Sequence, residues 1–376
     1  MGNSKKVLVV GGGIAGLTLA IALRRRGIDA DIVELQPQWN VLGVGLSLTG
    51  PALRALKTIG LIDQCVGAGF GWDRIVFADA AGRQFGSLNM PRLCGPDHPA
   101  TVAIARPALH DVLFRSAHEL GVSIALGTTV SSLKQSSDAV EVEFSDGKRA
   151  AYDFVVGCDG IRSTVRSLAF SDVPEASFTG LAVWRANMPR HKDVDCMQMF
   201  YGSSTKAGVN PHSRDEMFLF LVQPIRDTRR LPPDQMDALL REQLVEFSGD
   251  VMSYARECID DPLDVDYRPM DAFLLPPPWH RGRVVVIGDA AHTTTPHLAT
   301  GAGIAIEDAV VLAELLASDL AVAELFDRFM SRRFARCRLV VETAVKLGEM
   351  EKDTTIPIQA HFDLMSATFR QLAGPI

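Results

Sequence analysis

What the sequence has little of narrows its function first. Its six cysteines, Cys65, Cys94, Cys158, Cys196, Cys258 and Cys337, are widely separated and include no C-x-x-C pair, so neither a zinc site nor a thioredoxin-like redox motif is written in it. Reduced, buried thiols are expected, and no metal. No run of 18 or more apolar residues occurs, which leaves no segment able to span a bilayer as a helix. The 38 basic side chains are outnumbered by 45 acidic ones, for a net charge of −7. With no basic stripe to neutralise phosphates, nucleic acid is not an expected partner. There is no internal repeat and no low-complexity tract. With 47% apolar and 22% charged residues over 376 positions, the chain has the material for a large core and about two domains, which excludes disorder. Lys5 and Lys6 precede an apolar stretch, Val7 to Ala22, but Gly11, Gly12, Gly13 and Gly16 break it, unlike the continuous apolar run of a secretory signal. The segment is read as retained structure and the protein as cytoplasmic, with a small molecule as partner and the oligomeric state open.

The glycines that are present punctuate strands. Val7 to Val10 reads as a short buried strand, and Ile14 to Arg26 carries apolar side chains at helical spacing, ending in three arginines before Gly27. Cations favour a helix C-terminus, and Gly27 is placed to take the left-handed cap. Ala30 to Leu35 then reads as a second buried strand, completing a βαβ unit. Val140 to Phe144 alternates strictly, Asp146-Gly147 supplies a hairpin turn, and Tyr152 to Val156 runs into Gly157. A third apolar strand, Val284 to Ile287, runs into Gly288-Asp289, with a helix expected from about Gly303 to Ala317. Between about 173 and 269 the texture changes to short strands such as Leu181 to Ala186 and Met217 to Val222, separated by Pro, Ser and Asp clusters. Asp319 to Met350 reads as a long helix whose Arg332, Arg333, Arg336 and Arg338 are expected on a solvated face.

Two of these junctions carry chemistry. Gly11-x-Gly13-x-x-Gly16 lies between a strand and a helix, and Glu34 ends the next strand about twenty residues on, as a dinucleotide site requires. Gly11 permits the tight turn, and Gly13 lets backbone approach a pyrophosphate at the helix start. Gly16 allows close packing, and Glu34 can accept from ribose hydroxyls. That fingerprint leaves NAD and FAD both open. The second junction is Val284 to His292, Gly288-Asp289-Ala290-Ala291-His292 included, followed by Pro296 and Gly301-Ala302-Gly303 at a helix start.

The second junction resembles the second FAD signature of class A flavoprotein monooxygenases, and Gly157 to Arg166, with Asp159-Gly160 inside it, is similar to that family's D-G motif. Three signatures in order carry the resemblance over nearly the whole chain. It implies the para-hydroxybenzoate hydroxylase fold, of salicylate hydroxylase-like or hydroxypyridine hydroxylase-like type. The class is α/β: a Rossmann-type FAD-binding domain with a parallel sheet, an inserted, mostly antiparallel substrate domain, and a C-terminal helix. The expected divisions are 1–72, 97–172 and 270–345 for FAD, 73–96 and 173–269 for substrate, and 346–376 for a helical tail. The resemblance further implies FAD contacts from Gly11, Gly13, Ile14, Ala15, Gly16, Glu34, Arg106, Val130, Asp159, Asp289, Pro296, Gly301 and Ala302, with Asp289 on the ribityl chain. NADH or NADPH would dock transiently, and hydroxylation of a small aromatic substrate would use O2 through a flavin C4a-hydroperoxide. Epoxidation, oxidative decarboxylation and heteroatom oxidation on the same fold stay open. Relatives often carry histidine where this chain has Ser47, which cannot serve as such a base.

For the substrate side, His297 follows Pro296 in the loop that should pass the flavin, where a neutral imidazole can accept a phenolic proton. His292 is expected to make a structural hydrogen bond. Arg185 can pair with an aromatic carboxylate if it faces the pocket, or face solvent at an alternating strand position. His212 completes the catalytic candidates, with Lys206 and Asn210 beside it as pocket-lining candidates. Phe200 and Tyr201 are expected to pack.

Overall fold

In the computed structural model, which describes residues 5–39, 43–228, 230–353 and 355–376, the glycine-ended strands stack side by side. A six-stranded sheet runs in the order His280–Arg281, Val284–Val286, Phe154–Gly157, Lys6–Val10, Asp29–Glu34 and Ser123–Leu126. All its pairings are parallel except that of the His280–Arg281 edge. Val7 to Val10, Val155, Val156 and Val284 to Val286 are fully buried, the continuous apolar run of a sheet covered on both faces. The helix Ile14–Arg24 packs against Gly301–Leu316. The turn between the first strand and this helix is tight, since a methyl group on Gly16 would lie 1.9 Å from the Gly11 carbonyl oxygen. Gly27 takes the left-handed conformation at φ 75°, closing the helix as its position requires.

The second sheet has eight strands, in the order His292–Thr293, Val265–Leu274, Ser177–Pro189, Glu216–Pro224, Lys206–Pro211, Met197–Tyr201, Arg74–Asp79 and Gln84–Asn89. Only Met197–Tyr201 and Arg74–Asp79 pair in parallel. One face buries Trp184, Ala186, Ala207, Val209, Leu219 and Leu221 against Leu240, Met252 and Ala255 of the helices Met236–Gln243 and Asp250–Glu257. The other face looks toward the first sheet. The strands Leu181 to Ala186 and Met217 to Val222 are longer than the sequence suggests, because their polar ends continue the ladder.

The two sheets are joined through a short strip: Val284–Val286 leads into the single turn Gly288–Ala290, and His292–Thr293 then pairs with Phe273 and Leu274 of the second sheet. Among the described residues all six cysteines are free thiols, and no helix is long and apolar enough to cross a membrane.

The C-terminal region is two helices, Val322–Lys352 and Ile358–Leu372. The arginines on the first of them correct the expectation of a solvated face. Arg333 is completely buried, donating to Asp308 at 2.7 Å and Glu307 at 2.9 Å, and Arg336 clasps Glu307 at 2.7 and 2.8 Å. Glu307 and Asp308 are themselves fully buried on the Gly301–Leu316 helix. A carboxylate taken out of water requires a cation. Arg338 stays exposed and Arg332 keeps a rim contact with Glu314.

Candidate functional site

A cavity of about 400 Å³ lies between the two sheets, with Gly13 and Asp289 at one end and the open face of the second sheet at the other. At the first end, Gly13, Ile14 and Ala15 begin a helix that has no side-chain cap and no acidic residue in its first turn. A side chain on Gly13 would meet no protein atom within 4 Å. Free N–H groups at a positive helix end, beside space left by a glycine, make a cradle for an anion. Gly301 and Ala302 begin a second uncapped helix on the same cavity. Arg106 and Pro296 stand in the wall, and Asp289 presents its carboxylate there. Burial pushes the Asp289 pKa up, while His292 and Arg106 pull it down without cancelling the rise.

The other sequence-derived cofactor residues lie behind this surface. Gly11, at φ 108°, is pressed against the Cys158 carbonyl, which a side chain would meet at 2.5 Å. Glu34 accepts from the backbone N–H groups of Gly12 at 2.8 Å and Gln36 at 2.9 Å, so it stands at the fingerprint turn. Val130 is buried at the start of Val130–Gln135, among the core side chains and outside the cavity lining. Asp159 accepts from the Ser163 hydroxyl and, at 2.7 and 3.1 Å, from the Thr164 and Val165 N–H groups. Its carboxylate therefore caps the helix Thr164–Ala169, and its neighbours Cys158 and Gly160 line the cavity instead.

The substrate end follows strand alternation. Val183 and Arg185, Met197 and Met199, Lys206 and Asn210, and Phe218, Phe220 and Val222 all line the cavity, each set spaced by two along its strand as one sheet face requires. Gly208 supplies the missing member between Lys206 and Asn210, where a side chain would strike the Phe220 ring at 2.4 Å. Arg185 thus faces inward. Its nearest acidic atom is Asp266 Oδ2 at 4.0 Å, leaving hydrogen-bonding capacity for another partner. Burial lowers the guanidinium pKa and Asp266 opposes that. Asn210 donates to Ser47 Oγ at 2.9 Å and accepts from the Trp72 indole at 3.0 Å. His212 does not join this set: it is buried, stacked on Phe218 with ring centres 6.1 Å apart, and absent from the lining. It falls at the strand's end, where the alternation no longer places it on the cavity side. Phe200 sits in the core and Tyr201 packs against Phe77 and Phe362.

His297 lines the cavity with its ring held from both sides. Nδ1 is 2.8 Å from the Thr295 hydroxyl, and Nε2 is 3.2 Å from Glu351 Oε2. The other oxygen of Glu351 receives Lys206 Nζ. Burial alone would raise the Glu351 carboxyl, but Lys206 and His297 overcome it and hold it at about 2. Nothing in the spacing of the sequence announces Glu351, 54 residues from His297. The available signal is Gly348, one turn earlier: a glycine inside a helix costs roughly 0.5–1 kcal/mol and calls for a packing reason. Here a side chain would stand 3.1 Å from the His297 ring. His292 makes the structural bond expected of it, to Asp308.

The uncapped helix starts, the open space at Gly13 and the inward carboxylate of Asp289 fit a flavin dinucleotide. The sequence matches the FAD binding domain family over residues 4–344, and the chain belongs to that family, whose members here are FAD-dependent monooxygenases. It is 31% identical over 353 residues to the 2-heptyl-3-hydroxy-4(1H)-quinolone synthase of Pseudomonas aeruginosa, covering 92% of this chain and 89% of that enzyme. To the 3-hydroxybenzoate 6-hydroxylase of Polaromonas naphthalenivorans it is 28% identical, covering 92% and 87%. Among solved structures, Klebsiella pneumoniae HpxO, complexed with FAD and uric acid, has the same fold. The TM-score is 0.86 at 22% identity, over 99% of this chain and 97% of that one.

Proposed function

We propose that this protein uses NADH or NADPH and O2 to hydroxylate a phenol or a hydroxylated heteroaromatic small molecule. The observation that carries the reading is one continuous cavity joining the anion cradle and Asp289 to a face of Phe218, Phe220, Arg185 and Lys206. Bound FAD supplies the activation of oxygen. Gly13, Ile14 and Ala15 would hold its pyrophosphate, Glu34 a ribose, and Asp289 the ribityl chain, with Arg106, Pro296, Gly301 and Ala302 around the ring system. The helix start at Gly301 favours negative charge on whatever it faces.

On the substrate side, Phe218 and Phe220 offer flat apolar contact to a ring, and Arg185 pairs with a carboxylate or an electron-rich ring oxygen. His297 manages the proton of the ring hydroxyl. Val183, Val222 and the methionines keep water away from these groups. In this reading the cofactor unit comprises 1–72, 97–172 and 270–345, the substrate unit 73–96 and 173–269, and 346–376 is the tail. The reductant then docks transiently from the cytoplasm. The test is NADH and NADPH oxidation by FAD-loaded protein across hydroxybenzoates, hydroxypyridines, hydroxyquinolines and purines, with product masses measured in parallel. Substrate-stimulated oxidation giving a product one oxygen heavier is expected. Uniform, unstimulated oxidation refutes the reading, and loss of carboxyl carbon or an epoxide product would reassign the reaction within the fold.

A further inference from the structure

The His297 ring is fully engaged before any substrate arrives. Glu351 is ionised and can only accept, so Nε2 carries the hydrogen and donates to it; Nδ1 is then the acceptor of the Thr295 hydroxyl. A ring bonded this way has no free nitrogen for a substrate. Thr295 lines the cavity, and its oxygen keeps two lone pairs while its proton points at Nδ1.

We propose that Thr295, His297 and Glu351 act as a hydroxyl–imidazole–carboxylate triad that removes the proton of a bound substrate's ring hydroxyl, with Thr295 as the contact, His297 as the base and Glu351 as a positioning residue. The inference rests on the hydroxylase reading above and deepens it: the substrate is taken as a neutral hydroxyaromatic and held as its anion. The substrate O–H bond breaks and its proton goes to Thr295 Oγ while the Thr295 proton goes to His297 Nδ1. The electron pair stays on the substrate oxygen and enriches the ring. The imidazolium then faces Glu351, which remains ionised, as the carboxylate of a hydrolase triad does.

Three further features suit this arrangement. Lys206, in the cavity wall, fixes the second oxygen of Glu351 and adds positive charge where the substrate anion forms. Gly348 leaves the space that the His297 ring fills. Glu351 and Lys206 also line a second cavity of about 260 Å³, together with Tyr201 and His361. The far side of the Glu351–Lys206 pair is thereby open to water. The ionisable groups facing the triad from other elements are Lys206, Tyr201 and His361.

The experiment uses FAD-loaded protein and 4-nitrophenol, whose anion absorbs in the visible, read as a difference spectrum against the same protein without probe. Wild type is expected to move the half-ionisation point of the bound probe to lower pH, at a proton concentration about ten times higher or more than for the free probe. Glu351→Gln and Thr295→Val should abolish that shift while retaining FAD, and Thr295→Ser should restore it. A shift that survives in both variants, or none in wild type, overturns the triad. Should Glu351→Gln fail to fold, Thr295→Val carries the test, since it exchanges a hydroxyl for a methyl of similar volume. Failure of the underlying reading looks different: anion formation with no NAD(P)H oxidation stimulated by any hydroxyaromatic would leave the triad standing and remove the hydroxylase.

Discussion

Two histidines five residues apart, His292 and His297, each meet a carboxylate brought by an α-helix, the next one along the chain for His292 and a later one for His297, and each carboxylate also meets a cation. In the first group, His292, Asp308 and Arg333 are wholly buried, and every bond of Asp308 closes inside the protein: to His292, to Arg333, to the Gly288 N–H at 3.1 Å and to the Cys337 thiol at 3.6 Å. Burial opposes a charged His292, but Cys337 and Asp308 raise its pKa well above the usual range. In the second group, His297, Glu351 and Lys206 are arranged the same way, yet the chain of bonds ends at Thr295 and Lys206 on a cavity. The inventory of side chains is nearly identical. A sealed network fixes a turn, here the one presenting Asp289; an open network can exchange a proton with a guest.

Breaking the sealed group should do the most damage. Arg333→Met leaves Asp308 and Glu307 buried with too little positive charge and should cost about 3–5 kcal/mol in chemical denaturation. Lys206→Met, in the open group, should cost only about 1–3 kcal/mol, because cavity water can reach Glu351. Equal losses would erase the distinction.

The glycine turn offers a second sealed and open pair. Gly16→Ala forces a methyl group against the Gly11 carbonyl and should yield little folded holoprotein. Gly13→Ala, with nothing nearby, should keep the melting temperature of the FAD-free protein and weaken FAD binding by about tenfold or more, measured by quenching of flavin fluorescence. An unchanged flavin affinity would show that the cradle is not used. Arg185→Met should retain flavin and raise KM by about tenfold for carboxylate-bearing rings only; equal losses for neutral rings would remove Arg185 from substrate recognition.

Acid acts on both groups alike, and more gently. Asp308 and Glu351 are both held at about 2, burial being outweighed by His292 and Arg333 in one case and by Lys206 and His297 in the other. A carboxyl whose folded pKa is depressed contributes stability that is present above about pH 4 and lost as the pH falls toward 2. Melting temperature measured across that window should fall less steeply in Asp308→Asn and in Glu351→Gln than in wild type. Parallel curves for all three would contradict the assignment. The smallest effect is expected from Gly348→Ala, where the methyl would sit 3.1 Å from the His297 ring and 2.7 Å from Leu181. A gain in helix stability of about 0.5–1 kcal/mol should be offset by displacement of the ring, visible as a weaker anion shift of bound 4-nitrophenol.

The cofactor end of the cavity was legible in the sequence because backbone makes it. Strand, glycine turn and helix start are contiguous, so Gly13, Asp289 and Gly301 could be placed from local pattern alone. What the side chains of Val130 and Asp159 do was not legible in that pattern: one packs in the core and the other caps a helix. The substrate end is assembled from side chains on separate strands, and its inward face becomes readable only once one member, Arg185, is known to point in. Glu351 was signalled only indirectly, by Gly348 one turn earlier, because it comes from a helix whose docking depends on the whole fold. Arg333 was misread for the same reason, since its burial is decided by Glu307 and Asp308 on another element.

The alternation of the second sheet has a consequence for how such a protein can change. Trp184, Ala186, Leu219 and Leu221 face the helices behind, while Val183, Arg185, Phe218 and Phe220 face the cavity. Foundation and lining are thus carried on the same strands but by different residues. Substitutions at the lining positions can reshape the guest's contour one side chain at a time, leaving the foundation and the cofactor turn untouched. A library restricted to those alternate positions would sample new ring substrates at little risk to folding.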